Sequence, residues 1–428
     1  MSNNSSYKSN AINTKTVAEQ DIWVPLLKLD QWIEHNGWAG YDPYDIKGTP
    51  LFLYLLALTP KSPFPLRAIR AMLVHTEKWK PWMLRRLFRI KKQINAKAMG
   101  LFAKSFLNLF SITKDKRFKE KALECLKWVE NNASQGFSGF CWGYPFDWQS
   151  DILIPRTTPS AVVSCTVGDA FWSAYKILGD SRYLNVCKSI CEFFIKDLKI
   201  DTIDPDCICF SYTPLDNFHV HNANLFVAEF LTRVGKELNR DDFLEFGRRS
   251  ANYALREQNP DGSLFYWGNV QNHFNPNHID HYHSGFEMRM LNRLWMVTED
   301  QRYRDALERY YTFYLKNLII QKNGEVIPKY SPSHVYPINI HCCAEAILCN
   351  AALASEFKEA FKLLPGLYRW ILNKMQTKAG WYRYLILNTP IGEHHINIPY
   401  VRWGQAWMLL ALSSYIKSIY DCQTRVTG

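Results

Sequence analysis

Six stretches of this chain are apolar on every side, and they alternate with stretches that are apolar along one stripe only. The first kind starts near Ala96, Pro159, Asn222, His283, His341 and Arg402, at intervals of 63, 63, 61, 58 and 61 residues. A helix that is apolar all round is a buried one, and a helix with one charged face covers it. The striped partners run over 116–131, 181–197, 241–257, 301–318 and 356–375. No striped run follows the sixth buried one, and DIWVPLLKLDQWIEHN (21–36) has the pattern to stand in for it and close a ring.

Short Asp-x-Arg-aromatic turns join the pairs at Asp115, Asp180 and Asp300, with a looser version at Arg240-Asp241-Asp242-Phe243. Their aromatic positions, Phe118, Tyr183, Phe243 and Tyr303, lie 65, 60 and 60 residues apart. An Asp at such a turn accepts from the free amides of the helix it opens, and the ring folds back on the helix before it. The segments GFSGFCWGYPF, DGSLFYWG, NGEVIPKY and AGWYRYLIL read as short strands or extended loops on one rim. Units of about 60 residues exceed the roughly 34–47 of open helical arrays. The pattern therefore predicts an all-α fold, an (α/α)6 toroid over 95–420. A disordered tail over 1–20 and a closing helix with a basic amphipathic arm over 21–94 are expected before it, and a tail over 421–428 after it.

The 47% hydrophobic content of the 428 residues is enough for one large core. Fifteen Trp and 23 Tyr supply rings that fill a core of that size or stack on sugar faces. Eleven irregularly spaced cysteines, with no basic-then-apolar leader, point to reduced thiols in the cytoplasm. The apolar run LFLYLLAL (51–58) is far short of the ~20 residues a membrane helix needs. Of the net charge of +11, the segment from Pro65 to Lys97 supplies +9, from ten basic residues and one acid. Apolar residues interleave with these charges, which suits a solvated face or peripheral contact with an anionic membrane. Nucleic acid is not expected, because no nucleic-acid motif accompanies the charge and no phosphate-cradling glycine loop occurs.

In a closed ring the buried helices start at one rim, so the residues just before those starts converge on one cleft. Ten of the 12 histidines lie after residue 218, mostly there. The candidate catalytic residues are His283, Asp280, His221 and Asp147. Arg156, Asn222, Asn224, Trp148, Trp267, Tyr330, His341, Trp381, Arg402 and Gln405 are candidates for substrate binding. Asp280 in IDHYHSGF either orients His283 as a general base or only caps the helix that follows. Asn222 has the same two readings. Arg156 and Arg402 either clamp a carboxylate or pair with Asp151 and Glu393. Helix amino ends favour anions, and with the tryptophans they suit an oligo- or polysaccharide better than a nucleotide.

The segments CWGYPFDWQ (141–149), PRTTP (155–159), HNAN (221–224), DGSLFYWG (261–268) and IDHYHSGF (279–286) resemble a family of bacterial proteins. That family is encoded in capsule, O-antigen and exopolysaccharide gene clusters and belongs to the six-hairpin glycosidase-like toroids. The resemblance spans roughly residues 95–415. It implies the toroid and a role around a surface polysaccharide or its lipid-linked precursor, without specifying a reaction. Related toroids imply three chemistries. A uronate lyase would use His221, Asn222, Arg402 and Tyr330 or Tyr400. An epimerase would use the rim histidines and an Arg. An inverting hydrolase would set Asp147 or Asp151 opposite Asp280 at roughly 6.5–9.5 Å. A non-catalytic glycan-binding subunit is the rival class. His341, Cys342, Cys343 and Cys141 resemble the zinc set of lanthionine-cyclase toroids. Adjacent helical cysteines point different ways, however, and no C-x-x-C or H-E-x-x-H occurs, so neither metal nor cofactor is expected.

Overall fold

The computed structural model describes residues 17–58, 64–79, 81–269 and 275–427. Four helices come first: α1 (Val17–Asn36), α2 (Pro50–Leu56), α3 (Phe64–Trp79) and α4 (Pro81–Leu87). Five pairs follow: α5 (Ala96–Thr113) with α6 (Lys116–Asn131), α7 (Ala161–Leu178) with α8 (Ser181–Asp197), α9 (His221–Leu238) with α10 (Asp241–Glu257), α11 (His281–Thr298) with α12 (Gln301–Asn317), and α13 (Ile340–Leu353) with α14 (Lys358–Met375). A π-helical turn, Val401–Gln405, leads into α15 (Ala406–Thr427). Each helix of the predicted pairs begins within two residues of its expected start.

The first helix of each pair is buried along most of its length, whereas its partner buries one stripe. On α10 that stripe is Phe243, Gly247, Ser250, Ala251 and Ala254. The inner helices α5, α7, α9, α11, α13 and α15 each pack on the next, and α15 packs back on α5. The missing outer partner is α1. It packs on α15, its Asp30 and Glu34 take Lys121 of α6 at 2.7 and 2.6 Å, and its Pro25 carbonyl accepts from Gln376 Nε2 at 3.0 Å, just past α14. The ring is closed, and the chain is an (α/α)6 toroid.

The turns work as their sequence suggests. Asp115, Asp180 and Asp300 accept from the backbone N–H of Arg117, Arg182 and Arg302. Phe118, Tyr183, Phe243 and Tyr303 are buried behind them. Arg240 departs from this pattern: it caps α10 without a side-chain bond and pairs with Asp242 instead.

Among the described residues the rim holds four small sheets. They are β1 (Trp148–Gln149) with β2 (Leu153–Ile154), β3 (Ile200–Asp204) with β4 (Cys207–Phe210), β5 (Ile319–Lys322) with β6 (Glu325–Pro328), and β7 (Ile338–Asn339), β8 (Leu385–Thr389) and β9 (Gly392–Ile396) in one antiparallel sheet. Asn323 and Gly324, both at positive φ, make the two-residue turn between β5 and β6. The glycine-rich segments around 136–146 and 261–268 stay extended, tied by the bridges Gly143–Pro159 and Val220–Trp267. The β3–β4 hairpin is an addition to the expected rim segments.

Two terminal expectations change. Residues 1–16 of the expected tail lie outside the described residues, and 17–20 already belong to α1. At the other end α15 continues through 421–427. The expected basic arm is not a uniform solvated face either. Arg67, Arg86, Arg89, Lys91 and Lys92 are exposed, but Arg85 and Lys97 are buried. Arg85 pairs with Asp45 at 2.9 Å and donates to the Asp42 carbonyl and the Tyr400 hydroxyl, both at 3.0 Å. It thereby pins the segment before α2 against the rim. Among the described residues no helix is long and apolar enough to cross a membrane.

Candidate active site

At the rim where the inner helices start, a cavity of about 160 Å³ opens among first-turn residues and the loops before them. Five tyrosines, Tyr44, Tyr144, Tyr212, Tyr266 and Tyr282, form much of its wall, with Trp148, Trp267 and Trp403. Burial pushes the phenols of Tyr144, Tyr212, Tyr266 and Tyr282 up, so they stay protonated and can donate to hydroxyl oxygens. Lys97, Asn222, His283, His341 and Arg402 bring the remaining polar chemistry. Among the described residues that line this cavity there is no carboxylate.

His283 sits in the first turn of α11. Asp280, 1% exposed, is the N-cap: one oxygen accepts from the His283 backbone N–H at 3.0 Å. The other accepts from His283 Nδ1 at 2.7 Å and from His278 Nε2 at 2.9 Å. Capping and orienting are thus done by one carboxylate. Burial alone would raise its pKa, but His283 and His278 hold it well below the usual carboxylate range. A carboxylate only accepts, so His283 carries its proton on Nδ1, and Nε2 is the edge left for the cavity. Tyr282 and Tyr266 flank the imidazole, with ring centroids 4.1 and 4.4 Å away.

His341, in the first turn of α13, is 2% exposed and boxed by Tyr282, Trp403 and Trp407 at 4.6, 4.6 and 4.8 Å. Among the described residues neither ring nitrogen has a hydrogen-bond partner. Leaving a buried polar atom unpaired costs roughly 1–3 kcal/mol, so such atoms point to a ligand. Burial, reinforced by Lys97 and Arg402, pushes its pKa well below the usual histidine value and keeps the ring neutral. The Asn222 side-chain oxygen, buried at this cavity, is likewise without a partner among the described residues.

Arg402 lies against the Tyr144 and Trp403 rings. Its partner is Asp42, held bidentately at 2.6 and 2.7 Å, and not Glu393. Arg156 pairs with Asp147 at 2.8 Å, and not with Asp151. The Asp147–Arg156 pair lines a second cavity of about 330 Å³, which shares Phe146 and Arg402 with the first. Asp147 thus lines the second cavity, and neither it nor Asp151 nor Asp280, the carboxylates considered for an inverting hydrolase, lines the first.

Of the expected site residues, His283, Asn222, Trp148, Trp267, His341 and Arg402 line the first cavity, and Asp280 stands behind His283. The others are not among the residues that line it. His221 turns its Nδ1 to the Phe265 carbonyl at 2.7 Å and its Nε2 to Glu257 at 3.3 Å. Asn224 holds the Phe210 amide and Ser250 at 3.0 and 2.6 Å. Gln405 brackets the Tyr382 backbone at 2.8 Å on both sides. The backbone carbonyls of Tyr330 and Trp381 accept from His281 and Thr377, and neither side chain lines the cavity. Sequence reasoning missed the five wall tyrosines, Tyr44, Tyr144, Tyr212, Tyr266 and Tyr282, and also Lys97, which reads in the sequence as the last charge of the basic arm.

The expected alternative zinc set does not come together. Cys342 and Cys343 are buried at the start of α13, and Cys141 Sγ lies 3.9 Å from the Ser134 carbonyl. Among the described residues, the group whose ligand atoms lie within 4.8 Å of one another is His278, Asp280 and His283. Both histidine contacts to Asp280 are hydrogen-bond lengths. Two ligands of one tetrahedral zinc stand farther apart, at about 3.3 Å.

A titration follows from the buried histidines. His281, fully buried, donates or accepts at the Tyr314 hydroxyl at 3.0 Å. Burial pushes its pKa down to about 4, against the pull of Asp280. Its folded pKa is depressed, so the unfolded chain takes up the proton first as pH falls below about 6.5. The stability it contributes is present above that pH and is lost toward pH 4, at up to about 1.4 kcal/mol per unit. Urea unfolding of wild type and His281→Phe at pH 7, 6 and 5 isolates this group. The difference between the two proteins is expected to move against wild type at each step, and a constant difference contradicts the assignment.

Neither family models nor curated proteins match the chain. Solved structures do match it. A crystal structure of an unsaturated glucuronyl hydrolase specific for heparin superposes with a TM-score of 0.59 at 11% identity, covering 95% of this chain and 98% of that one. A D-mannose isomerase gives 0.58 at 14% identity, over 76% and 87%. A sugar epimerase from a ruminal bacterium gives 0.58 at 12% identity, over 76% and 88%. At such identities the likeness shows the shared toroid.

Proposed function

We propose that this protein is a sugar epimerase or isomerase that moves a proton at a carbon next to a carbonyl group. The observation that carries this reading is the cavity itself, with two imidazoles, a tyrosine wall and no lining carboxylate among the described residues. Hydrolysis by paired acids needs two carboxylates facing one sugar. Proton abstraction needs one oriented base and a donor for the developing oxyanion. His283 Nε2, backed by Asp280, is the base. Neutral His341 donates to the carbonyl oxygen, and the phenols hold the hydroxyls. At about 160 Å³ the cavity is smaller than the roughly 300–1,000 Å³ of drug-sized sites, which suits one sugar unit. Two of the toroids named above are an isomerase and an epimerase of sugars, which agrees with this choice.

Proton NMR in deuterium oxide tests it. Incubation with D-mannose, N-acetyl-D-mannosamine or D-glucuronate is expected to replace one carbon-bound proton by deuterium and to produce an isomer. Binding without exchange would favour a glycan-binding subunit instead. The family resemblance supports a substrate drawn from surface-polysaccharide synthesis, in the cytoplasm. Exposed Phe64, Met72, Trp82, Met83 and Leu87 beside exposed Arg67, Arg86, Arg89, Lys91 and Lys92 support contact with an anionic membrane, where lipid-linked precursors are found. Sedimentation with phosphatidylglycerol vesicles is expected to deplete the protein from solution at low salt, and an undiminished supernatant removes the membrane contact.

A further inference from the structure

Lys97 has no part in the steps above, yet its environment is that of a reactive group. It is the second residue of α5, its backbone N–H tied to the Asn95 cap at 3.0 Å, and its side chain runs into the same cavity. The residue is 4% exposed, and among the described residues Nζ makes no hydrogen bond and no ion pair. It lies 5.5 Å from the centre of the Trp407 ring and 6.0 Å from that of Phe286, two rings that also wall His341. The acids that reach it electrostatically are Asp42 and Glu345. Both are committed elsewhere, Asp42 to Arg402 and Glu345 to Arg289 at 2.6 Å. Burial and the nearby Arg402 push the amine down to about 7. At neutral pH the free base is then on the order of a thousand times more abundant than for an ordinary lysine. A lysine in an apolar pocket beside another cation is the arrangement that makes an amine nucleophilic.

Resting on the epimerase or isomerase reading of this cavity, we propose that Lys97 adds to the open-chain carbonyl of a reducing sugar and holds it as an imine during proton transfer. The free amine attacks the carbonyl carbon to give a carbinolamine. Its hydroxyl, hydrogen-bonded by His341, takes up one proton from solvent and leaves as water, which leaves a protonated carbon–nitrogen double bond. That cation draws electrons from the adjacent C–H bond, whose proton passes to His283 Nε2. Return of the proton to the same carbon, on either face, and addition of water release the sugar or its epimer and restore the amine and the proton taken from solvent, so no oxidant or reductant is consumed. The substrate class narrows to aldoses and ketoses with a free reducing end, and glycosides blocked at that position are excluded.

Reductive trapping tests this with the wild-type full-length chain. The protein is incubated briefly at pH 7 with D-mannose, N-acetyl-D-mannosamine or D-glucuronate and sodium cyanoborohydride, and peptides are mapped by mass spectrometry. The expected result is one reduced-sugar adduct on the Lys97 peptide at an occupancy at least tenfold above that of exposed Lys91 or Lys92. Methyl glycosides of the same sugars give none. Lys97→Met and Lys97→Arg lose the adduct and slow deuterium exchange by 100-fold or more. Labelling of Lys97 no faster than of the exposed lysines overturns the proposal, as does rescue of exchange by Lys97→Arg, which restores charge without a nucleophile. Exchange that continues while no adduct forms leaves the His283 reading standing and removes only the imine. An adduct without exchange keeps the imine and removes His283 as base.

Discussion

Asp280→Asn is expected to lower the rate of deuterium exchange into sugar by a factor of about 10²–10⁴, while the helices stay formed. The amide keeps one oxygen, which can still accept from the His283 backbone N–H and cap α11. The other position becomes an N–H₂ that faces Nδ1 at the place where a carboxylate oxygen stood 2.7 Å away. Two donors cannot share that contact, so the imidazole proton moves to Nε2 and the basic edge is lost. His283→Gln should remove the base outright and fall as far. Circular dichroism separates this from unfolding, since the cap survives in the first variant. Exchange within threefold of wild type in both variants would show that the base is elsewhere.

Arg402→Met is expected to cost about 3–5 kcal/mol of unfolding free energy, the range for breaking a buried ion pair from one side. The guanidinium meets both oxygens of Asp42 at 2.6 and 2.7 Å, and both residues are buried. Removing Arg402 leaves the Asp42 carboxylate in the wall with, among the described residues, one remaining hydrogen bond, from the Tyr44 amide. The loop before α2 is then held to the rim mainly through Arg85. Adding Asp42→Leu removes the stranded charge, so the double variant should be less destabilised than the sum of the two single ones. Urea unfolding of the three variants measures the coupling. A single-variant loss below 1 kcal/mol, or strict additivity, would mean that the pair contributes little to holding the rim.

The ring was readable because burial dictates composition over whole helices. No neighbour could make AVVSCTVGDAFW an outer helix, and Asp at 115, 180 and 300 marks turns through chemistry local to a few residues. The rim was readable as a place for the same reason. Which side chains enter the cavity was not, because successive helical residues turn by about 100° and a first turn therefore points both ways. His283 meets the cavity, whereas His281, two positions earlier, bonds to Tyr314 behind it. Asn222 lines the cavity and Asn224 holds a strand. Partners distant in the chain were out of reach as well. Arg402 finds Asp42, 360 positions away, and no local pattern announces it. Lys97 was hidden by its company: nine other basic residues between Pro65 and Asn95 gave it the look of a surface charge. The start of α5 turns it inward.

A crystal of the protein soaked with a reducing hexose tests the central assignment most directly. Density for one sugar unit is expected inside the tyrosine-walled cavity, with a carbon next to its carbonyl facing His283 Nε2 and its oxygens meeting His341 and Asn222. Sugar bound only in the neighbouring cavity beside Asp147 and Arg156, with His283 untouched, would contradict it.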